Sequence, residues 1–341
     1  MNLAILIISF LLIPSAHAWM MEQINHDLAP FKTELSRKFL DELFLRDELC
    51  LVRVQVVSGV MTFQISEWAK RHPIPDHIIL PLMELHARLQ LPDLDFVFSA
   101  HDELNRVRNE PPLPIFIITK SKQDTGLILF PDWFALKGFE PDKSFVLQGN
   151  VLYPWESKSH LLFFRGADSG IWDPKRWMSF PRPKLMKLAA ECPDLIDAKL
   201  TYINHTQFYD YAQERGYLGD WVPIQDALRH RYLMDIDGNC AATPRFPLFL
   251  HGNSVILKNM TDSILWFYGI IKPYEHFIPV EENLSNLFTQ LEWAKNHNAE
   301  CQKISENARK LAAEVFSRES IYLYLYQLLC EYSKKQQPHY Q

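Results

Sequence analysis

The sequence has 341 residues, of which 48% are hydrophobic and 22% charged, with a net charge of −6. That apolar share excludes a disordered chain, which needs few apolar residues and a high net charge. The acidic balance, with no basic stripe, argues against nucleic acid as a partner, and the length allows two domains, each with its own core.

The chain opens on an apolar run, Leu3 to Ile13, followed by Ala16-His17-Ala18, the small-x-small pattern of a secretory cleavage site. Residues 1–18 are therefore expected to be a signal peptide. Its first residues lack Lys and Arg, so an uncleaved membrane anchor is the alternative. Either way the protein is expected in the secretory-pathway lumen or outside the cell, with no stable membrane span once the segment is removed.

Helical periodicity covers residues 22–50. Leu51–Val57 and Val60–Ile65 are β-rich and meet at Ser58-Gly59, which predicts a hairpin. Ile78–Leu89 is a candidate helix, and Asp95–Ser99, Ile115–Thr119 and Gly126–Phe130 are candidate buried strands. Residues 135–157 give a poor element and are read as the join between two lobes. Leu161–Phe164, Arg231–Asp237 and Ser254–Leu257 are strands in the second half, with helices between them. From Leu284 to Tyr332 the pattern is nearly all helix, with Ile304, Ala308, Leu311, Ala312 and Val315 on one stripe. The division expected is a first lobe at 19–150, a second at 151–320, and a C-terminal helix and tail at 321–341. Strands alternating with helices predict an α/β class with a mainly parallel sheet in the second lobe. Ligands of such sheets sit beyond the carboxyl ends of the strands.

Two strand ends draw attention on that basis. The first runs Leu161-Leu-Phe-Phe-Arg165-Gly166-Ala-Asp168-Ser169-Gly170. Glycines let backbone approach a ligand and arginine offers a planar fork for phosphate, though Arg165 paired with a carboxylate of the fold fits equally well. The second runs Tyr232-Leu-Met-Asp235-Ile-Asp237-Gly238-Asn239, then Arg245-Phe246-Pro247. Backbone amides at a helix start, with Arg245 in its first turn, would favour an anion. Asp235 and Asp237 form a DxD, read here as a strand end with carboxylates on alternating sides rather than a cation site. No CxxC or Cys/His cluster has zinc spacing. The five cysteines suit one or two disulfides or buried free thiols. Asn204, Asn259 and Asn283 head N-glycosylation sequons.

In order and spacing, RGxxSG, YLxDIDGNxxxxxRFPxxLxxNSVxLK and WFYxxxKPYxHFIPVxxNLxxL resemble the lipopolysaccharide-modifying, capsule-associated glycosyltransferases, the family that includes the Rumi-like protein O-glucosyltransferases. The resemblance runs from about Asp93 to Glu331 and is strongest in the C-terminal half. It implies a GT-B-like fold, two Rossmann-like lobes with a cleft between them. It also implies inverting transfer of a hexose or pentose, glucose or xylose first, from a UDP-sugar to a glycan, lipopolysaccharide or protein hydroxyl. No cofactor or bound metal is implied. Carried over by motif, Arg165, Gly166, Ser169, Gly170, Asp237, Gly238, Arg245 and Ser254 would bind the donor. Asp102, after the strand DFVF, would be the catalytic base, with Glu103 as the fallback. The chain departs from the family pattern at Asp168, Pro247 and Glu103-Leu104, where a basic residue, a basic residue and Tyr-Pro are usual. An inactive glycan- or protein-binding homologue and a glycoside hydrolase are the alternatives; the latter needs paired carboxylates.

Overall fold

The computed structural model describes residues 14–32, 34–241 and 244–336. Contacts divide the chain into two compact units. Unit 1 comprises residues 1–138, 262–270 and 315–341, and unit 2 comprises 139–261 and 271–314. The α/β class holds in both.

Unit 1 carries β1 (Leu51–Val57), β2 (Val60–Ile65), β3 (Leu94–Ser99), β4 (Ile115–Ile117), β5 (Lys120–Ser121) and β6 (Leu127–Leu129). Five of these form one sheet in the order β2-β1-β3-β4-β6. The expected hairpin is present: Val57 faces Val60, and Ser58 and Gly59 both take positive φ, the backbone of a tight primed turn. β1 runs antiparallel to β3, whereas β3, β4 and β6 are parallel, so their carboxyl ends share one edge. The helix expected at Ile78–Leu89 is present and starts earlier, at Ile74–Leu89. The helical reading of 22–50 is corrected: Pro14–Leu28 and Arg37–Phe44 are separate helices, and Asp47–Leu49 is a single 3₁₀ turn. Pro30 lies between the first two, where it cannot continue a helix.

The first helix spans Ala18 without interruption, and Trp19 packs on Trp266 and Tyr324. Residues 1–13 of the expected signal segment lie outside the described residues. No helix among the described residues is long and apolar enough to cross a membrane. Asp27 on that first helix receives Lys120 Nζ at 2.8 Å, both side chains fully buried.

Unit 2 is built on β7 (Ser159–Ala167), β8 (Ile196–Tyr202), β9 (His230–Asp235), β10 (Val255–Met260) and β12 (Ile278–Glu281); a two-residue strand β11 (Ser263–Ile264) pairs instead with β5 in unit 1. The sheet order is β12-β10-β9-β7-β8, parallel throughout, as expected for the second half. In chain order this is 2-1-3-4-5, so the winding reverses between β7 and β9. Leu162, Phe164, Tyr232, Met234, Val255 and Leu257 feed one core together with Ile278, Leu287 and Ile304.

The expected join at 135–157 is instead largely helical, with Asp142–Leu152 inside unit 2. Gly149 explains the packing: a Cβ there would stand 2.7 Å from the Gln225 carbonyl, so the helix lies backbone-close to its neighbour. The boundary therefore falls near residue 138 rather than 150. The C-terminal helix Arg318–Ser333 is no separate tail but part of unit 1. Tyr332 meets Phe116 edge-on at 4.9 Å, and the Gln336 side chain accepts the Asp95 N–H at 2.9 Å. No disulfide joins any of the five cysteines among the described residues.

Candidate functional site

The carboxyl ends of β7 and β9 meet where the strand order reverses, the place such sheets hold ligands. Gly170, at φ +84°, packs so tightly on the β9 loop that a Cβ would sit 2.5 Å from the Gly238 carbonyl. Gly238 in turn leaves no room for a Cβ, which would stand 2.7 Å from Ser169 Oγ. Asn239 Oδ1 accepts the Gly170 N–H at 2.9 Å. These contacts bring Ser169, Gly170 and Gly238 together.

Behind the loops lies a charge cluster. Lys258 Nζ donates to Asp235 Oδ2 at 3.0 Å and to Asp237 Oδ1 at 2.8 Å. Asp235 ends β9 and Asp237 lies two residues beyond it, yet both carboxylates meet one ammonium; the expected alternation is corrected. The reading of DxD as a strand end gains a physical reason, because a lysine stands between the two acids. Arg245 opens the helix Arg245–Leu250, and its Nε donates to Asp235 Oδ1 at 3.0 Å. Its two terminal nitrogens also donate one bond each, to the Arg165 and Ile236 carbonyls at 3.2 and 2.8 Å. Burial would push the Asp235 carboxyl up, but Lys258 and Arg245 outweigh it and hold it below its ordinary range. Asn259 is fully buried and accepts the Asp237 N–H at 3.0 Å, so its sequon is closed to glycan attachment in the folded chain.

Two expected donor residues stand apart. Arg165 leaves β7 on the face opposite Phe164, rests over the Phe163 ring at 4.7 Å and pairs with Asp197 Oδ1 at 2.7 Å. It joins the cluster only through its carbonyl. Ser254 lies before β10 and donates to the His230 carbonyl at 2.7 Å, at the amino end of the sheet. Asp235 is five steps further along β9, about 16 Å along a strand. Asp168 is fully buried and accepts from Trp177 Nε1 at 2.9 Å and from His205 Nδ1 at 3.0 Å, which explains the acid where the family pattern has a base.

Arg182 escaped the sequence reading. It sits in the first turn of the helix Pro181–Glu191 and is 5% exposed. It donates to the Ala167 and Ile236 carbonyls at 2.9 and 2.8 Å and to Ser169 Oγ. In sequence it is one cation in a basic stretch, and only the tertiary fold shows that it links both loops.

In unit 1, Asp102 follows β3, and its backbone carbonyl accepts Thr119 Oγ1 at 2.6 Å. The side chain is exposed, and its carboxylate has no hydrogen-bond or ion-pair partner among the described residues. Loss of part of its water shell pushes the carboxyl above its ordinary value, against the pull of His101 and His72. It caps no helix: the following 3₁₀ turn has Leu104 at its cap and no side-chain cap bond. Burial also raises the neighbouring Glu103, which accepts from Asn105 Nδ2 at 3.1 Å.

A sequence profile described as Glycosyl transferase family 90 matches residues 15–341. Human protein O-glucosyltransferase 3 is 29% identical over 329 residues, covering 92% of this chain and 61% of its own. Zebrafish protein O-glucosyltransferase 2 is 30% identical over 265 residues, covering 75% of this chain and 50% of its own. Mouse protein O-glucosyltransferase 1 is 26% identical over 327 residues, covering 91% of this chain and 79% of its own. The chain thus spans about half to three-fifths of the type 2 and type 3 relatives. A crystal structure of Anabaena Alr3699/HepE with UDP and glucose aligns with 66% of this chain and 64% of its own, at 11% identity and a TM-score of 0.42.

Proposed function

The chain belongs to glycosyl transferase family 90, and on that premise we propose that it transfers a sugar, glucose or xylose, from a UDP-sugar to a protein hydroxyl, inverting the anomeric carbon without a metal ion. The observation that carries the reading is the clasp of the β7 and β9 loops at the point where strand order reverses, with Arg245 beside them. The protein acceptor rests on the names of the relatives, and the secretory lumen on the apolar segment Leu3–Ile13 with Ala16-His17-Ala18.

In the proposed step the acceptor oxygen bonds to the anomeric carbon as that carbon's bond to the UDP oxygen breaks. The acceptor proton passes to Asp102, whose free, raised carboxylate suits a general base. The charge developing on the diphosphate is met by fixed donors, the Arg245 guanidinium among them. Arg245 and Lys258 already neutralise Asp235 and Asp237, so the acids do not repel the incoming anion.

Arg245→Ala should weaken UDP binding by about 1.5–3 kcal/mol, the worth of a hydrogen bond to a charged group. Calorimetry that finds unchanged UDP affinity in a folded variant would remove Arg245 from the donor site. Chelation gives a second test. Because Lys258 bridges Asp235 and Asp237, EDTA should leave sugar transfer largely intact. Activity lost with EDTA and restored by manganese would reverse the metal-free reading.

A further inference from the structure

Unit 2 carries a groove that none of the residues proposed for donor binding lines. Two hollows, of about 720 and 280 Å³, share Met178, Ser179 and Tyr211, so they join into one channel between residues 174–191 and the helix Tyr209–Glu214. A row of aromatic rings runs along it. Trp177 stacks on Phe208 at 5.0 Å, Tyr211 meets Trp177 edge-on at 6.0 Å, and Tyr217 meets Tyr211 edge-on at 6.3 Å. Met178 and Leu188, both half-buried, add aliphatic lining.

The charge of the groove opposes that of the chain. Its lining holds Lys175, Arg176, Lys184, Lys187 and Arg215 against one carboxylate, Glu191, among the described residues. The whole chain has a net charge of −6, so the sign is reversed locally. Neighbouring acids cancel little of it. Lys187 and Glu191 stand 3.7 Å apart with both side chains more than half exposed, and Arg215 reaches Glu214 at 3.9 Å. Exposed pairs of that length contribute little. Lys184 donates to the Asn283 carbonyl, a neutral oxygen. Arg215 lies 3.6 Å over the Tyr211 ring, which fixes its guanidinium beside the groove.

Like charges gathered on one surface repel, and an arriving counter-charge relieves them. Cations alone would suit any polyanion. The aromatic and aliphatic lining narrows the choice, because a sulfated glycan has no apolar side chain to bury there. An acidic peptide meets both demands, with carboxylates on the cations and a Leu or Phe among the rings. We propose that this groove docks an acidic peptide segment of a partner protein, with an apolar side chain of that segment seated against Met178, Leu188 and Tyr211.

The test reads binding and uses no sugar transfer. Fluorescence anisotropy follows a labelled peptide of Glu and Leu on the full chain at low salt, beside a Glu-only peptide and a heparin fragment. Wild type should bind the Glu and Leu peptide, and the Glu-only peptide several-fold more weakly. Lys187→Glu with Arg215→Glu should cut that affinity by about tenfold or more, because two attractive contacts become repulsive. Lys38→Glu with Lys334→Glu makes the same change in net charge at exposed positions of unit 1 and should leave affinity within about twofold. If the first pair does not fold, Lys175→Glu with Arg176→Glu takes its place at the other end of the groove, with the same expectation. Wild type that binds neither peptide overturns the proposal. So does an equal loss in the groove and unit 1 variants, which would reduce the effect to overall charge. Equal affinity for the Glu-only peptide, or tighter heparin binding that the groove variant abolishes, would make the groove a polyanion surface and overturn it too.

Discussion

Asp102→Asn should lower turnover by about 10²–10⁴-fold, the usual weight of general base catalysis, with UDP affinity and melting temperature near wild type. Stability should survive because the Asp102 carboxylate holds no partner among the described residues and caps no turn. Only its backbone carbonyl is used, by Thr119, and asparagine keeps that carbonyl. UDP affinity should survive because the base acts on the acceptor oxygen. The pH profile adds a signature. A base works deprotonated, so activity should rise with pH through the Asp102 pKa, and that limb should sit above the ordinary carboxyl range because desolvation raises it. Glu103→Gln, run beside it, separates the two acids. An inactive Glu103→Gln with an active Asp102→Asn would move the base by one residue. Full activity in both would favour a binding protein that keeps the fold without the chemistry.

Asp235→Ala should cost about 3–5 kcal/mol of folding stability, the loss typical of removing one partner from a buried ion pair. Asp235 is 1% exposed and Lys258 3%. Removing the carboxylate leaves Lys258 with Asp237 alone and strips Arg245 of its acid. The depressed pKa gives the sign with pH. Its stabilisation is complete above the ordinary aspartate pKa and is lost as pH falls through the lower native value. Urea titrations of wild type and variant at neutral pH measure the difference. A loss below about 1 kcal/mol would show that water reaches this cluster and screens it.

Strands were the legible part of this chain. The runs at Asp95–Ser99 and Arg231–Asp237 are apolar because both faces of their sheets are covered, so period and burial agree. The helix Asp142–Leu152 was missed for the opposite reason. Leu147, Val151 and Leu152 face solvent while Gly149 is buried, so its hydrophobic pattern misstates its packing. Among the expected donor residues, Ser169, Gly170 and Gly238 meet because each strand end fixes its own loop. Arg165 and Ser254 could not be placed this way. Which face Arg165 takes depends on Asp197 in the next strand, and Ser254 sits at the amino end through a bond to His230. Arg182 acts only through oxygens contributed by Ala167, Ser169 and Ile236, contacts that no spacing along the chain encodes.

The three-part makeup of unit 1 bears on how the protein is made. Its sheet precedes unit 2 in the chain, yet the Trp266 segment and the helix that brings Tyr332 onto Phe116 follow most of unit 2. Unit 2 needs nothing beyond residue 314 and is complete while unit 1 still waits. The sheet of unit 1 is thus made before unit 2 and completed after it, and the apolar surface around Phe116 stays open until the helix Arg318–Ser333 emerges, the condition under which nascent chains recruit chaperones. Shortening the chain before Arg318 would strip a wall from unit 1's core instead of trimming an appendage.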